Sequence, residues 1–287
     1  MSFLTLRCLA ILGAILVSCP VWAAGPEKSP PPQAKKATSP APQPEKAGVP
    51  EPQPGQILGK MCDFLKSHPQ FSFKAEITDD RVYSGGKKLQ FAMDVEEFVQ
   101  RPDKIRINAD GDLESKQFIY NGKTITLFDE NKKVYATMDV PAGVDQALEK
   151  ARNDYGLRVG LAELGSNNPC KYAGKDIKHA LYVGLHRVRG VDCHHLAFDR
   201  DDIQFQVWID AGEQPLLRKF VITQKQLPAS PQFVVYFQEW NFSPKLNDSL
   251  FTFVPPPGTE KINFIPVKKT AAPKTKKGQP QKKGDKS

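Results

Sequence analysis

The stretch Gly190-Val-Asp-Cys-His-His-Leu-Ala-Phe198, followed by Ile203-Gln-Phe-Gln-Val-Trp-Ile-Asp210 and Leu216-Leu-Arg-Lys-Phe-Val-Ile222, decides the fold. In its middle segment Ile203, Phe205, Val207 and Ile209 alternate with Gln204, Gln206, Trp208 and Asp210. A period of two belongs to a half-buried strand. The segments are parted by Asp199-Arg-Asp-Asp202 and by Ala211-Gly-Glu-Gln-Pro215, compositions that turn a chain rather than extend it. Three consecutive antiparallel strands are therefore predicted here.

The same alternation recurs on the N-terminal side. Phe71, Phe73, Ala75 and Ile77 form one strand and Leu89, Phe91, Met93 and Val95 the next, with Gly85-Gly86 between them. Ile105, Ile107 and Ala109 follow the corner Arg101-Pro-Asp103, and Asn121-Gly122 joins Phe118-Ile-Tyr120 to Thr124-Ile-Thr-Leu127 in the strongest hairpin signal of the chain. Val134–Met138, Gln232–Asn241 and a short Leu250–Phe253 complete the strands. Helical spacing appears over Ile57–Lys66, stopped by Pro69, and over Val144, Ala147, Leu148, Ala151 and Tyr155, stopped by Gly156. Leu157, Leu161 and Leu164 suggest a further short helical segment closed by Gly165. The fold class is α+β: a large curved antiparallel sheet, a half-barrel of about 10–11 strands, covered on its concave face by a few helices.

The ends have a different composition. Residues 1–23 carry Arg7, the apolar run Cys8–Val17 and a Val21-Trp-Ala23 ending, the anatomy of an export signal. Leu16-Val-Ser-Cys19 also resembles a lipoprotein box, so lipidation at Cys19 with membrane anchoring is the alternative to simple release into the periplasm. Residues 24–55 are a Pro-rich linker, and residues 267–287 a Lys-rich tail, both too poor in large apolar side chains to bury a core. The net charge of +8 sits in these ends, because residues 56–266 hold 27 basic and 28 acidic side chains. A domain-wide basic face for nucleic acid is thereby not supported, and no specific nucleic-acid partner is expected.

Beyond the signal lie Cys62, Cys170 and Cys193, in no metal-ligand spacing. Cys170 with Cys193 is the preferred disulfide, and three buried thiols the alternative. His194 and His195 are adjacent on a strand and must face opposite sides, so they cannot share one metal or proton relay. One is expected to face the core and the other solvent. Asp199, Asp201 and Asp202 lack the glycine and the terminal glutamate of a calcium loop. No nucleophile elbow, zinc-protease helix or phosphate-binding glycine loop is present. No catalytic residue, metal or cofactor is assigned, and a non-enzymatic role is expected.

Phe118-x-Tyr-Asn-Gly-Lys123, Tyr135, the Gly190–Phe198 segment, Trp208-Ile209 and Pro215-Leu-x-Arg-Lys219 resemble a bacterial family of predicted exported proteins of unknown function. That family is similar in fold to the LolA, LolB and LppX lipoprotein and lipid carriers. The resemblance covers about Ile57 to Phe264 and implies a half-barrel with a helical lid over a cavity for acyl chains. The inward candidates for lining it are Phe71, Phe73, Phe91, Ile105, Ile107, Phe118, Tyr120, Phe205 and Val207. The expected function is a periplasmic carrier holding a lipid or the acyl chain of a lipoprotein. The alternative is an envelope interaction module whose Lys-rich tail meets anionic polymers.

Overall fold

Side-chain alternation becomes one continuous sheet in a computed structural model describing residues 53–267, Tyr172 excepted. The expected export signal with Cys19, the linker up to residue 52 and the tail from residue 268 lie outside the described residues. The first half of the sheet is a meander: β1 (Gln70–Val82), β2 (Lys88–Gln100), β3 (Lys104–Gly111), β4 (Ser115–Tyr120), β5 (Thr124–Asp129) and β6 (Val134–Asp139). The second half is another: β7 (His179–Val188), β8 (Val191–Asp199), β9 (Ile203–Asp210), β10 (Leu217–Gln224) and β11 (Gln232–Asn241). A two-residue β12 (Glu260–Lys261) pairs parallel with β6. The order β12-β6-β5-β4-β3-β2-β1-β11-β10-β9-β8-β7 is an open sheet of twelve strands, antiparallel except at β12. Its two halves join where β11 lies against β1, with Ala75 opposite Phe237 and Ile77 opposite Val235.

Two helices and a 3-10 turn cover one face. Helix α1 (Pro54–Ser67) starts on a proline, which has no N–H to leave unpaired there, and buries Ile57, Leu58, Met61 and Leu65 at helical spacing. It begins three residues before the predicted start and takes in Gly55. Helix α2 (Val144–Tyr155) buries Val144, Ala147, Leu148 and Ala151 and ends on left-handed Gly156. The Gly156 N–H donates to the Arg152 carbonyl at 3.0 Å in an αL cap, and the Leu157 N–H reaches back to the Ala151 carbonyl at 3.1 Å. The third predicted helical segment is a 3-10 turn, Ala162–Gly165. A side chain at Gly165 would meet the Ile105 Cδ1 at 2.7 Å, so glycine lets this turn press directly on the sheet.

Two expectations are corrected. Leu250–Phe253 is not a strand: Asp248–Phe251 forms a 3-10 turn in which the Asn247 side chain accepts from the Leu250 N–H. Short polar-flanked apolar runs do not distinguish the two conformations by periodicity. Cys170 pairs with Cys62, their Cα atoms 5.9 Å apart, and not with Cys193. Cys193 shares a strand phase with outward His195, whereas Cys62 and Cys170 pack against the core on the other side of the sheet. Cys193 stays a buried thiol, pushed up to about 11 by burial and the nearby Asp210 carboxylate.

Candidate functional site

Inward side chains of the strands meet α1, α2 and the segment Leu157–Ala173 on the covered face. At the centre the packing is complete. Phe71 and Phe73 are fully buried, and the Phe73 ring lies 4.7 Å from Trp240 and 5.4 Å from Phe237. Ile105 and Val99 lie beneath Gly165. Tyr120 is buried beside them and donates its hydroxyl to the Pro141 carbonyl at 3.2 Å, while burial pushes its pKa to about 12.

On either side of this centre the cover does not fill the space. One compartment of about 250 Å3 lies between β1–β5 and Leu157–Leu161, floored by Ile107, Phe118, Met93 and Leu127. Glu114, Lys116 and Arg158 give it a charged mouth. A second of about 220 Å3 lies between β9–β11 and the cover, walled by Phe205, Val207 and Phe220 below and Leu58, Met61 and Leu164 above. Gly160 and Leu161 border both. Each volume is somewhat under the roughly 300 Å3 at which small-molecule pockets begin. A larger polar hollow lies elsewhere, among Lys74, Asp94, Glu96, Asn108 and Asp110. It lacks the apolar lining that would desolvate a hydrocarbon.

The nine residues expected to line a cavity therefore divide. Ile107 and Phe118 border the first compartment, and Phe205 and Val207 the second. Phe71, Phe73, Ile105 and Tyr120 are built into the filled centre. Phe91 sits half-buried further along β2 and borders neither compartment. His194 and His195 separate as predicted. His194 lies opposite inward Ile209 and shares a hydrogen bond with the Tyr182 hydroxyl at 3.1 Å. His195 stacks on outward Trp208 at 4.0 Å and contacts the Gln206 side chain at 3.0 Å. Burial lowers the pKa of both imidazoles, with Lys60 adding to the effect at His194. Among the described residues no group of three His, Cys, Asp or Glu side chains is placed to hold a metal ion.

Two residues that the sequence left unmarked organise the cover. The Arg101 guanidinium donates to the carbonyls of Leu65 (3.0 Å), His68 (2.5 Å), Leu164 (2.9 Å) and Ser166 (3.0 Å). It thus ties the end of α1 and the 3-10 turn to the end of β2, satisfying carbonyls that helix ends leave free. Nothing local distinguishes an arginine at a proline corner from any other surface arginine. Glu97 lies between Phe73 and Ile107 on neighbouring strands, fully buried, with no hydrogen-bond partner for either carboxyl oxygen. Desolvation pushes its pKa well above the ordinary carboxylate range, against a smaller pull from Arg101. Here a signal existed: Glu97 falls in the inward phase between Val95 and Val99.

Residues 55–265 match the family described as predicted periplasmic protein (DUF2092). Comparison with curated proteins gave no match. Among solved structures, the chain is similar to an uncharacterized conserved protein from Thermus thermophilus, at 9% identity and TM-score 0.44, covering 73% of this chain and 98% of that one. It is similar to the lipoprotein LppX from Mycobacterium tuberculosis at 13% identity and TM-score 0.40, covering 67% and 97%. A LolA superfamily protein from Nitrosomonas europaea is similar at 10% identity and TM-score 0.35, covering 70% and 98%.

Proposed function

The chain belongs to the DUF2092 family of predicted periplasmic proteins, and on that footing we propose that it is a non-enzymatic periplasmic carrier sheltering an acyl chain or another apolar ligand between sheet and cover. The observation that carries the reading is the pair of apolar compartments bordered in common by Gly160 and Leu161. An unbranched hydrocarbon suits such a space because each methylene removed from water contributes about 0.8 kcal/mol without any polar partner. Displacement of Leu161 joins the two compartments, and the charged mouth at Lys116 and Arg158 leaves a polar head group in water. The cover stays attached during such a movement through the Cys62–Cys170 bridge and the Arg101 clamp.

Gly160 supplies the test. A Cβ added there meets nothing within 4 Å and the backbone is not left-handed, so Gly160→Trp brings bulk to the border shared by the two compartments, with an unchanged thermal melt certifying the fold. The delipidated full chain, titrated with dansyl-undecanoic acid, is expected to give a saturable fluorescence rise that Gly160→Trp weakens about tenfold or more. Absence of saturable binding, or equal binding by the variant, overturns the reading.

A further inference from the structure

The two edges of the sheet are finished in different ways. On one side β12 is only two residues long and follows Pro255-Pro-Pro257, whose residues offer no N–H to a neighbour. On the other side β7 runs for ten residues and pairs only with β8. In an antiparallel ladder, alternate N–H and C=O groups of such a strand point away from its partner and wait for another strand. Its side chains are apolar where an edge is usually charged: Leu181 is 59% exposed, Val183 40% and Leu185 60%. The register slips between Tyr182 and Gly184, so Leu181 faces outward opposite Ala197 and Leu185 faces inward opposite His194. Apolar surface thus flanks the free backbone on both faces of the sheet.

We propose that β7 is a docking edge for an extended segment of another protein, apolar in the middle and carboxylate-bearing at its ends, which adds to the sheet as one more strand. Three other occupants fit less well. A lipid surface would cover the leucines but leave the N–H and C=O groups without partners, an unfavourable burial. A second copy of β7 cannot set Leu181 against Leu185, because the register slip places them on opposite faces of the sheet and directly opposed residues of an antiparallel pair share one face. The chain's own ends are rich in proline before residue 53 and in lysine after residue 267, which suits neither the ladder nor the charge.

Residues 178–189 hold Lys178, His179, His186, Arg187 and Arg189 and no acidic side chain. Arg187 contacts Asp192 at 2.9 Å, Lys178 contacts Asp201 at 3.4 Å and Arg189 contacts Glu76 at 2.6 Å, all exposed pairs. Exposed pairs contribute little, and a guanidinium has donors for a second carboxylate on its open side. An incoming segment with acids at both ends therefore meets complementary charge at both ends of β7.

The test uses the full chain and a fluorescent synthetic peptide of alternating valine and threonine with glutamates at each end. A second peptide of the same sequence is N-methylated at alternate residues, which removes the N–H groups of one edge. Saturable binding of the first is expected, weakened about tenfold or more by N-methylation and by the paired change Leu181→Lys and Leu185→Lys. Both leucines are exposed, so an unchanged thermal melt certifies the variant, and the methylated peptide tests the idea on the native chain. The proposal is overturned if the first peptide shows no saturable binding, if methylation makes no difference, or if the lysine variant binds equally. It is also overturned if phosphatidylglycerol vesicles bind through these leucines while the peptide does not, or if the chain alone forms a dimer that the lysine variant abolishes. None of these outcomes depends on the ligand compartments.

Discussion

The centre of the covered face and the compartments beside it are built from the same strands, yet one is filled and the other open. Around Phe73, Val99 and Ile105 the cover descends to the sheet, because Gly165 has no side chain to hold it away. At Ile107 and Phe118 on one flank, and Phe205 and Val207 on the other, the sheet is equally apolar but Leu157–Leu164 does not reach down to it. Apolar patterning thus specifies which face is buried. It does not specify how closely the burying element approaches.

The difference can be broken at the centre first. Phe73→Ala is expected to cost about 3–5 kcal/mol, as for other fully buried rings, read as a lowered midpoint in urea. Arg101→Ala removes four hydrogen bonds from the clamp and is expected to lose about 3 kcal/mol, allowing for the non-additivity of charge-assisted bonds. Arg101→Lys should restore only part of this, since an ammonium lacks the planar fork. A result within about 0.5 kcal/mol of wild type would show that the carbonyls find other partners.

Glu97 sharpens the comparison from the other direction. It is the polar residue in the filled centre, and Glu97→Met is expected to stabilise by about 1–3 kcal/mol by removing an unsatisfied buried group. Its folded pKa is raised, so its penalty is absent below the ordinary carboxylate value. As pH rises through that value towards the folded pKa, stability falls by about 1.4 kcal/mol per pH unit. Melts of the wild type across this range should show the slope and those of Glu97→Met should lack it. The smallest effect is expected at Phe91, which borders neither compartment: Phe91→Trp should leave dansyl-undecanoate affinity within about twofold. A larger loss would extend the ligand path along β2.

Particular residues mark what can be read in advance. Alternation along Phe71–Ile77 and Ile203–Ile209 gives each strand its inward side, and the same rule separates His194 from His195 across the sheet. It also marks Glu97 as an acid in an inward position, a signal of burial rather than of catalysis. Phe71 and Phe91 fall outside the compartments for opposite reasons: Phe71 is packed into the filled centre, and Phe91 lies half-buried further along β2, so facing inward fixes neither how fully a side chain is covered nor what touches it. Cys62–Cys170 joins residues 108 apart, and the strand phase of Cys193, which places it on the other face of the sheet, is the clue that excludes the other pair.

The sequence alone determined most of the strands and their two faces, the stop of α2 at Gly156, and the family to which residues 55–265 belong. These are written in periodicities and caps that act within a few residues. Only the tertiary structure decided the pairing of β1 with β11, the reach of Arg101 to four carbonyls, the unfilled flanks and the bare edge at β7. Each depends on distances between segments far apart in the chain, set by how whole elements pack, and no local pattern encodes such a distance.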